Sequence, residues 1–526
     1  MADVAALFRL ARAGFILARA GAFSLADPEA LPAGPRALVH FAAMLGPQNI
    51  SDGERAERLT LALQKLGPSY LKFGQFLATR PDLIGREAAD VLGRLRDEIP
   101  PFPDAEARLI VAHSLGRPVE AIFASFSPPV AAASIAQVHK ADIALPDGGT
   151  RTVAVKVLRP GVRDRFRRDL ETFFAGARFV EWADPASRRL RPVVIVGTLA
   201  KSVAIEMDLR LEAAALSEMA ELTAGDLGFR VPKVEWELTA RDVLTLEWID
   251  GIKLSDIAAI RAAGHDLVAL ARRLMQAFLR QALRDGFFHA DMHQGNFFID
   301  PAGNIVAIDF GIMGRLGPKE RKFLAEILLG FITRDYRRVA EVHFEAGYVP
   351  RTHAVDDFAQ AIRAIGEPIH GQPARDISMA RLLTLLFEVT EIFDMETRPE
   401  LLLLQKTMVV VEGVARSLDP DFDMWTVSEP VIREWIERNL GPAGKLEQAV
   451  EGLQSLGRLA GELPELAARA ERLSREFDQM GERGIRLDPA TIEDIGRAEA
   501  REGRWGRIAL VVIAVVAVIV GLKLVF

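Results

Sequence analysis

The side chains best placed to do chemistry together lie between His289 and Gly311, a stretch reading H-A-D-M-H-Q-G-N-F-F-I-D-P-A-G-N-I-V-A-I-D-F-G. Asp291 and Asn296 stand just before an apolar run, Phe297 to Ile299, and Asp309 directly follows a second run, Ile305 to Ile308. The intervening Asp300-Pro301-Ala302-Gly303-Asn304 predicts a turn, so the two runs predict a β-hairpin. A hairpin returns both ends to one edge, which brings an Asp, an Asn and a second Asp together. Carboxylate and amide oxygens are the hard ligands Mg²⁺ takes beside phosphates, and the set leaves one Asp for a proton or a hydroxyl.

The same order is that of the kinase catalytic set, H-x-D-x-x-x-x-N followed by D-F-G. By that analogy Asp291 orients or deprotonates the nucleophile, while Asn296 and Asp309 hold the metals. Elements upstream must position a nucleotide against them. Lys156 sits in V-A-V-K, the context of the lysine that pairs with nucleotide phosphates. Before it, Ile122–Phe126, then Pro128–Lys140, then Thr152–Val157 predict a strand, a loop of small residues that includes Ala131, Ala132, Ala133 and Ser134, a strand, a turn at Asp147-Gly148-Gly149 and a third strand. An Ala-rich loop stands where kinases carry a Gly-rich one; alanine lacks glycine's access to positive φ, so this loop is expected to be stiffer. A helix is expected over Val194–Met219, and Glu212 or a neighbouring acid on it either solvates the surface or pairs with Lys156. Val231–Val234 and Asp242–Trp248 read as the last strands of this lobe, Glu247–Gly251 as a hinge facing adenine, and Asp266–Arg284 as a helix leading into the central motif. Farther upstream, Lys72, Gln75 and Ala78 lie on a largely apolar helix beginning at Pro68, where Lys72 either snorkels or meets an acid.

A chain of 526 residues exceeds one core, so two or three domains are expected. Its net charge of −7 argues against nucleic acid as a partner. The absence of cysteine excludes disulfides, thiolate metal sites and a cysteine nucleophile. The N-terminal apolar residues are interrupted by Arg9, Arg12 and Arg19, which argues against a secretory signal; they suit a helix that packs or lies on a membrane surface. At the other end Ile508–Val520 is an unbroken apolar run flanked by Arg501, Arg504, Trp505 and Arg507. The 19 residues from Ile508 to Phe526 would span about 28 Å as a helix, near the roughly 30 Å of a bilayer core. A single-pass C-terminal anchor in the cytoplasmic membrane is expected, with the body in the cytoplasm; a buried terminal helix is the alternative.

Taken together, Lys72-Phe73-Gly74-Gln75, Ala131–Ser134, Glu206-Met207-Asp208, His289–Asn296 and Asp309-Phe310-Gly311 give the chain a specific resemblance to the UbiB family of atypical kinase-like proteins. The resemblance implies that Lys72, with Gln75, belongs to a regulatory lid meeting Glu206 and Asp208, and that Glu212 pairs with Lys156. It further implies ATP and Mg²⁺ as cofactors, ATPase behaviour, a role in ubiquinone biosynthesis, and partners among membrane lipids, quinone precursors and quinone-biosynthesis proteins. The fold expected is α+β and bilobal, kinase-like, with a helical N-terminal extension (1–105), an N-lobe with a helical insertion (106–251), a C-lobe (252–400), a helical C-terminal region (401–504) and a transmembrane helix (505–526). Ala290 replaces the arginine of H-R-D and no A-P-E follows Gly311, so a peptide-docking platform is not expected. A nucleotide-gated lipid-binding or scaffold protein is the alternative. The hydroxylase label attached to some family members finds no dinucleotide fingerprint and no iron triad in this sequence. Beyond residue 320 the pattern is helical, with an apolar stripe from Leu446 to Met480.

Overall fold

The fold is that of a computed structural model, which describes residues 4–25, 33–47, 50–78, 84, 88, 91–92, 99–183, 191–368, 389, 392–395 and 399–441. The chain divides into two compact units, Met1–Arg438 and Asn439–Phe526, and the elements that follow belong to the first, save the last two residues of the final helix. It opens on helices α1 (Val4–Ala20), α2 (Ala33–Met44), α3 (Asp52–Leu66) and α4 (Pro68–Ala78). Ser51 caps α3 by accepting the Glu54 N–H at 3.3 Å. Gly67 ends it at φ 114°, and a Cβ there would collide with the Arg165 guanidinium. Pro68, which needs no N–H partner, then starts α4 at once.

Helix α5 (Asp104–Leu115) and a single turn over Val119–Ile122 lead to strands β1 (Ser125–Ala132), β2 (Ala136–Ala144) and β3 (Thr150–Leu158). With β5 (Val243–Glu247) these form an antiparallel sheet in the order β1-β2-β3-β5. Along β3 the valines at 153, 155 and 157 are fully buried and pack with Ala107 and Val111 of α5. Strand period then puts Lys156 on the opposite face, toward the second lobe. Between β3 and β5 come α6 (Val162–Ala183), α7 (Pro192–Glu206), α8 (Leu209–Leu222) and the short β4 (Phe229–Arg230).

The second lobe contains β6 (Ile252–Lys253), α9 (Leu267–Leu279), β7 (Phe287–His289), β8 (Phe297–Ile299), β9 (Ile305–Ala307) and β10 (Met313–Arg315). Strands β8 and β9 pair as the expected hairpin, and the sheet continues as β4-β9-β8-β6. Helices α10 (Pro318–Thr333), α11 (Tyr336–Glu345), α12 (Val355–Gly366), α13 (Pro399–Leu418) and α14 (Met424–Leu440) complete the description.

Several expectations are corrected. The strand expected over Ile122–Phe126 starts at Ser125 and runs through Pro128 and Pro129 into the small-residue segment, so Ala131 and Ala132 are strand residues paired with Val138 and Gln137. Prolines survive there because β1 is an edge strand and its register shifts around Pro129. The helix expected over Val194–Met219 is two helices, α7 and α8, separated at Met207-Asp208. The strand expected at Val231–Val234 does not form: β4 ends just before it at Arg230, and Val234 makes only an isolated bridge to Leu246. The helix expected to end at Arg284 passes into a wider π-helical turn over Arg280–Asp285 and stops at Gly286. Among the described residues no helix is long and apolar enough to cross a membrane. The expected anchor at 505–526 and the stripe at 446–480 lie outside the described residues.

Candidate active site

Lys156 is where the two lobes meet chemically. Its Nζ lies 2.7 and 2.9 Å from the two carboxylate oxygens of Glu212 on α8 and 3.3 Å from Oδ2 of Asp309. Burial opposes the charge on Lys156, but the two carboxylates outweigh it and hold its pKa above the ordinary lysine value. Burial pushes the Glu212 carboxyl upward, more than Lys156 brings it down. Asp309 lies deep between the lobes, although its carboxylate stays 45% open to the cleft. Burial would raise its pKa as well, yet Lys156, the Gly311 N–H and the field of Lys72 together hold it below the usual carboxylate range. Asp309 is therefore an anion facing open space, the state a cation-bound phosphate requires.

The hairpin supplies the other oxygen groups. The Ile308 N–H donates to the Asn296 carbonyl at 3.0 Å, so the residue before Asp309 is tied to Asn296. Asn296 Nδ2 donates to the Asp291 carbonyl at 2.9 Å and to its Oδ2 at 3.3 Å. With its amide nitrogen engaged, Asn296 has its Oδ1 left to offer a metal. Buried His289 packs its ring near those of Phe297 and Phe310. Its Nδ1 accepts the Asp291 N–H at 3.1 Å, which fixes the tautomer carrying hydrogen on Nε2. Gln281, fully buried in the π-turn, accepts the His289 N–H through Oε1 at 3.2 Å. Sequence reasoning missed Gln281; its signal was a polar residue on the apolar face of a helix.

In the small-residue segment the turn is confined to Ala133–Ile135, closed by the Ala133 N–H donating to the Ala136 carbonyl at 2.8 Å. Arg159, one residue beyond β3, grips that turn by donating to the carbonyls of Ser134, Ala133 and Pro100 at 3.2, 3.1 and 3.0 Å. Nothing in the sequence marked Arg159, because backbone carbonyls leave no trace in residue type. Ser134 is fully buried and its Oγ has no partner among the described residues. An orphaned hydroxyl in a turn of small residues fits a phosphate, whose oxygen would satisfy it.

The lid residues divide. Lys72 Nζ lies 2.7 Å from a Glu206 carboxylate oxygen, both side chains being mostly buried. Helix α4 is seated there by Tyr70 and Phe73, whose rings pack on Phe173 of α6 at 4.9 and 4.7 Å between centroids. Asp208, expected to join them, instead caps α8 through the Arg210 N–H and pairs with the Arg210 guanidinium at 2.7 Å. Gln75 is half-buried on the same helix as Lys72. Among the described residues no group of three or more His, Asp or Glu side chains is placed to hold a metal ion by itself. Asn296 and Asp309 are a smaller set, of the kind that shares a cation with phosphates.

This lysine–glutamate pair, catalytic loop and D-F-G strand end define a kinase-like domain of the atypical kind. Residues 94–343 match the model of the ABC1 atypical kinase-like domain, and residues 362–423 that of the UbiB helical domain. A protein described as probable protein kinase UbiB from Marinobacter nauticus is 42% identical over 417 residues, covering 78% of this chain and 76% of that one. Its counterpart from Azotobacter vinelandii is 41% identical over 421 residues, covering 79% and 77%. Among solved structures, the complex of Rv3197 with erythromycin from Mycobacterium tuberculosis aligns with a TM-score of 0.47 and 26% identity, covering 72% of this chain and 95% of that one. The chain belongs to the UbiB family of atypical kinases.

Proposed function

We propose that this chain binds Mg-ATP between its lobes and transfers the terminal phosphoryl group to water or a small acceptor. The observation that carries the reading is Lys156, held by Glu212 and Asp309 on a cleft whose other side presents Asp291 and Asn296. Lys156 would contact nucleotide phosphates, Asn296 and Asp309 would hold Mg²⁺, and Ser134 would line the phosphate loop. Bound Mg²⁺ would neutralise phosphate charge. Asp291, oriented through its own N–H by His289, accepts the proton of the attacking hydroxyl. Lys72 occupies space beside the site that a peptide would need, which favours a small acceptor. The family supports a role in ubiquinone biosynthesis, with lipid-borne quinone precursors and other biosynthetic proteins as partners. The apolar stretch at 508–526 would anchor the body to the cytoplasmic membrane.

The test is Asp309→Asn. A folded variant that binds Mg-ATP more weakly and hydrolyses none agrees with the assignment. Hydrolysis at the parent rate by the purified variant refutes it.

A further inference from the structure

A lysine from outside the kinase-like core lies within the electrostatic reach of Asp291. Helix α13 presents the sequence Leu401-Leu402-Leu403-Leu404-Gln405-Lys406-Thr407-Met408-Val409-Val410-Val411, in which Q-K-T interrupts two apolar runs. Thr407 is buried, and its single hydroxyl proton is shared between the Leu403 carbonyl of its own helix at 2.8 Å and, across to the catalytic loop, the Ala290 carbonyl at 3.1 Å. That bond pins the helix to the residue immediately before Asp291. Leu404 and Val411, buried in the same core as Phe310 and Ala290, seat the helix on either side.

Lys406 is the neighbour of that contact residue in sequence. Crowding by protein pulls the Lys406 pKa below the ordinary lysine value, and the Asp291 charge opposes that shift without overcoming it. The residue is nonetheless exposed to solvent. It forms no ion pair among the described residues. The contrast with Lys156 and Lys72 is informative, since those lysines are taken by Glu212 and Glu206. Between His289 and Asn296 the catalytic loop carries no Lys or Arg; His293 accepts the Gly295 N–H through Nδ1 at 2.9 Å and turns its Nε2 to 3.8 Å from Oδ2 of Asp291. A lysine that meets a phosphoryl group in flight beside Asp291, in addition to Lys156, therefore comes from another element. A crowded lysine with no carboxylate to hold it is suited to that charge, because it exchanges no existing ion pair for the new contact.

We propose that Lys406 contacts the transferring phosphoryl group on the Asp291 side and stabilises its charge during transfer. The inference rests on the phosphoryl-transfer reading above. In the step, the acceptor oxygen bonds to the γ-phosphorus and the bond from that phosphorus to the β,γ-bridging oxygen breaks. The bridging oxygen leaves with the electron pair on ADP, and the acceptor's proton passes to Asp291. Lys406 gives up no proton; its ammonium lies against the equatorial oxygens. The helical domain is then part of the active site, and its seating on the catalytic loop through Thr407 is a condition for turnover.

The test compares the full-length parent with Lys406→Met, which keeps length and apolar contacts, and Lys406→Arg, which keeps charge. Mg-ATP affinity, Mg-ADP affinity and ATP turnover are measured for each. Removing one preorganised charge partner is expected to lower kcat of Lys406→Met by about 100-fold. Mg-ATP affinity should fall several-fold while Mg-ADP affinity stays at the parent value, because ADP lacks the group contacted. Lys406→Arg should recover part of the loss. Unchanged turnover in Lys406→Met, or equal weakening of ATP and ADP, overturns the role of Lys406 and leaves the phosphoryl-transfer reading in place. A parent that binds neither nucleotide overturns both.

Discussion

Replacing Lys156 by Met isolates the ion pair at the centre of the cleft. The lysine side chain is 17% exposed and that of Glu212 5%, so this is a buried pair. Removing one partner of such a pair costs ~3–5 kcal/mol, since the other charge is left unpaired. Asp309 loses the same cation, but its carboxylate is nearly half open to solvent and adds little. The expected loss for Lys156→Met at neutral pH is therefore about 3 kcal/mol. Glu212→Gln should lose less, about 1–2 kcal/mol, because Lys156 keeps Asp309 at 3.3 Å. Combining them removes both buried charges, and the double variant should recover about 2 kcal/mol relative to the sum. Protonation sharpens the test. Burial already raises Glu212, so its native pKa exceeds its unfolded one, and in Lys156→Met this difference grows. Native Glu212 then binds the proton more tightly than the unfolded chain does, giving stability that is complete below the unfolded value and lost as pH rises through the native value. Equilibrium urea unfolding of the four proteins across the range from acid to neutral pH measures both effects. Strictly additive losses that do not change with pH would refute the buried-pair account.

Lys72→Ala leaves buried Glu206 without its lysine, so α4 should loosen; faster amide exchange at Tyr70–Phe73 and altered nucleotide affinity are expected, with Glu206→Gln producing part of both. If the two variants match the parent in exchange, affinity and self-phosphorylation, Lys72 has no lid function. Asp309 has a native pKa below its unfolded value, so its contribution to stability is present above the ordinary carboxylate range and disappears as pH falls through the native value. The stability gap between parent and Asp309→Asn should accordingly be widest near neutrality and close in acid, and a gap that widened in acid would contradict the assignment. Removing 505–526 should release the protein from membranes while leaving nucleotide binding intact; retention after a salt wash would locate the anchor elsewhere, with α1 and its arginines the first place to look.

The parts of the site legible in the sequence are those that local periodicity controls. Alternation in V-A-V-K-V placed Lys156 opposite the buried valines, and turn chemistry at Asp300–Asn304 joined the strands that carry Asn296 and Asp309. Contacts made by tertiary packing were less visible. Glu206, Asp208 and Glu212 looked alike as acids on one helix, and only the break at Asp208 sends Glu206 to Lys72, Glu212 to Lys156 and Asp208 to Arg210. The expected strand stopped at Phe126, whereas β1 runs on through Pro128 and Pro129, which its place at the sheet edge permits and sequence does not show. Thr407 and Gln281 were polar residues in apolar stretches, a pattern that requires a buried partner without naming it.

Arg159 gives the nucleotide loop an unusual mechanical character. One side chain, anchored at the end of the strand that carries Lys156, holds the carbonyls of Ala133, Ser134 and Pro100. Loop and lysine consequently share one rigid frame and have few soft modes relative to each other. A glycine-rich loop can lift while the rest of its lobe stays still. If a nucleotide binds as proposed, its admission and escape would require the whole frame to swing away from Asp309, and breaking the Lys156–Asp309 contact would be the gating event. Residence time at the site would then follow the electrostatics of that contact, and ionic strength would act on exchange rates more than on the resting geometry of the loop.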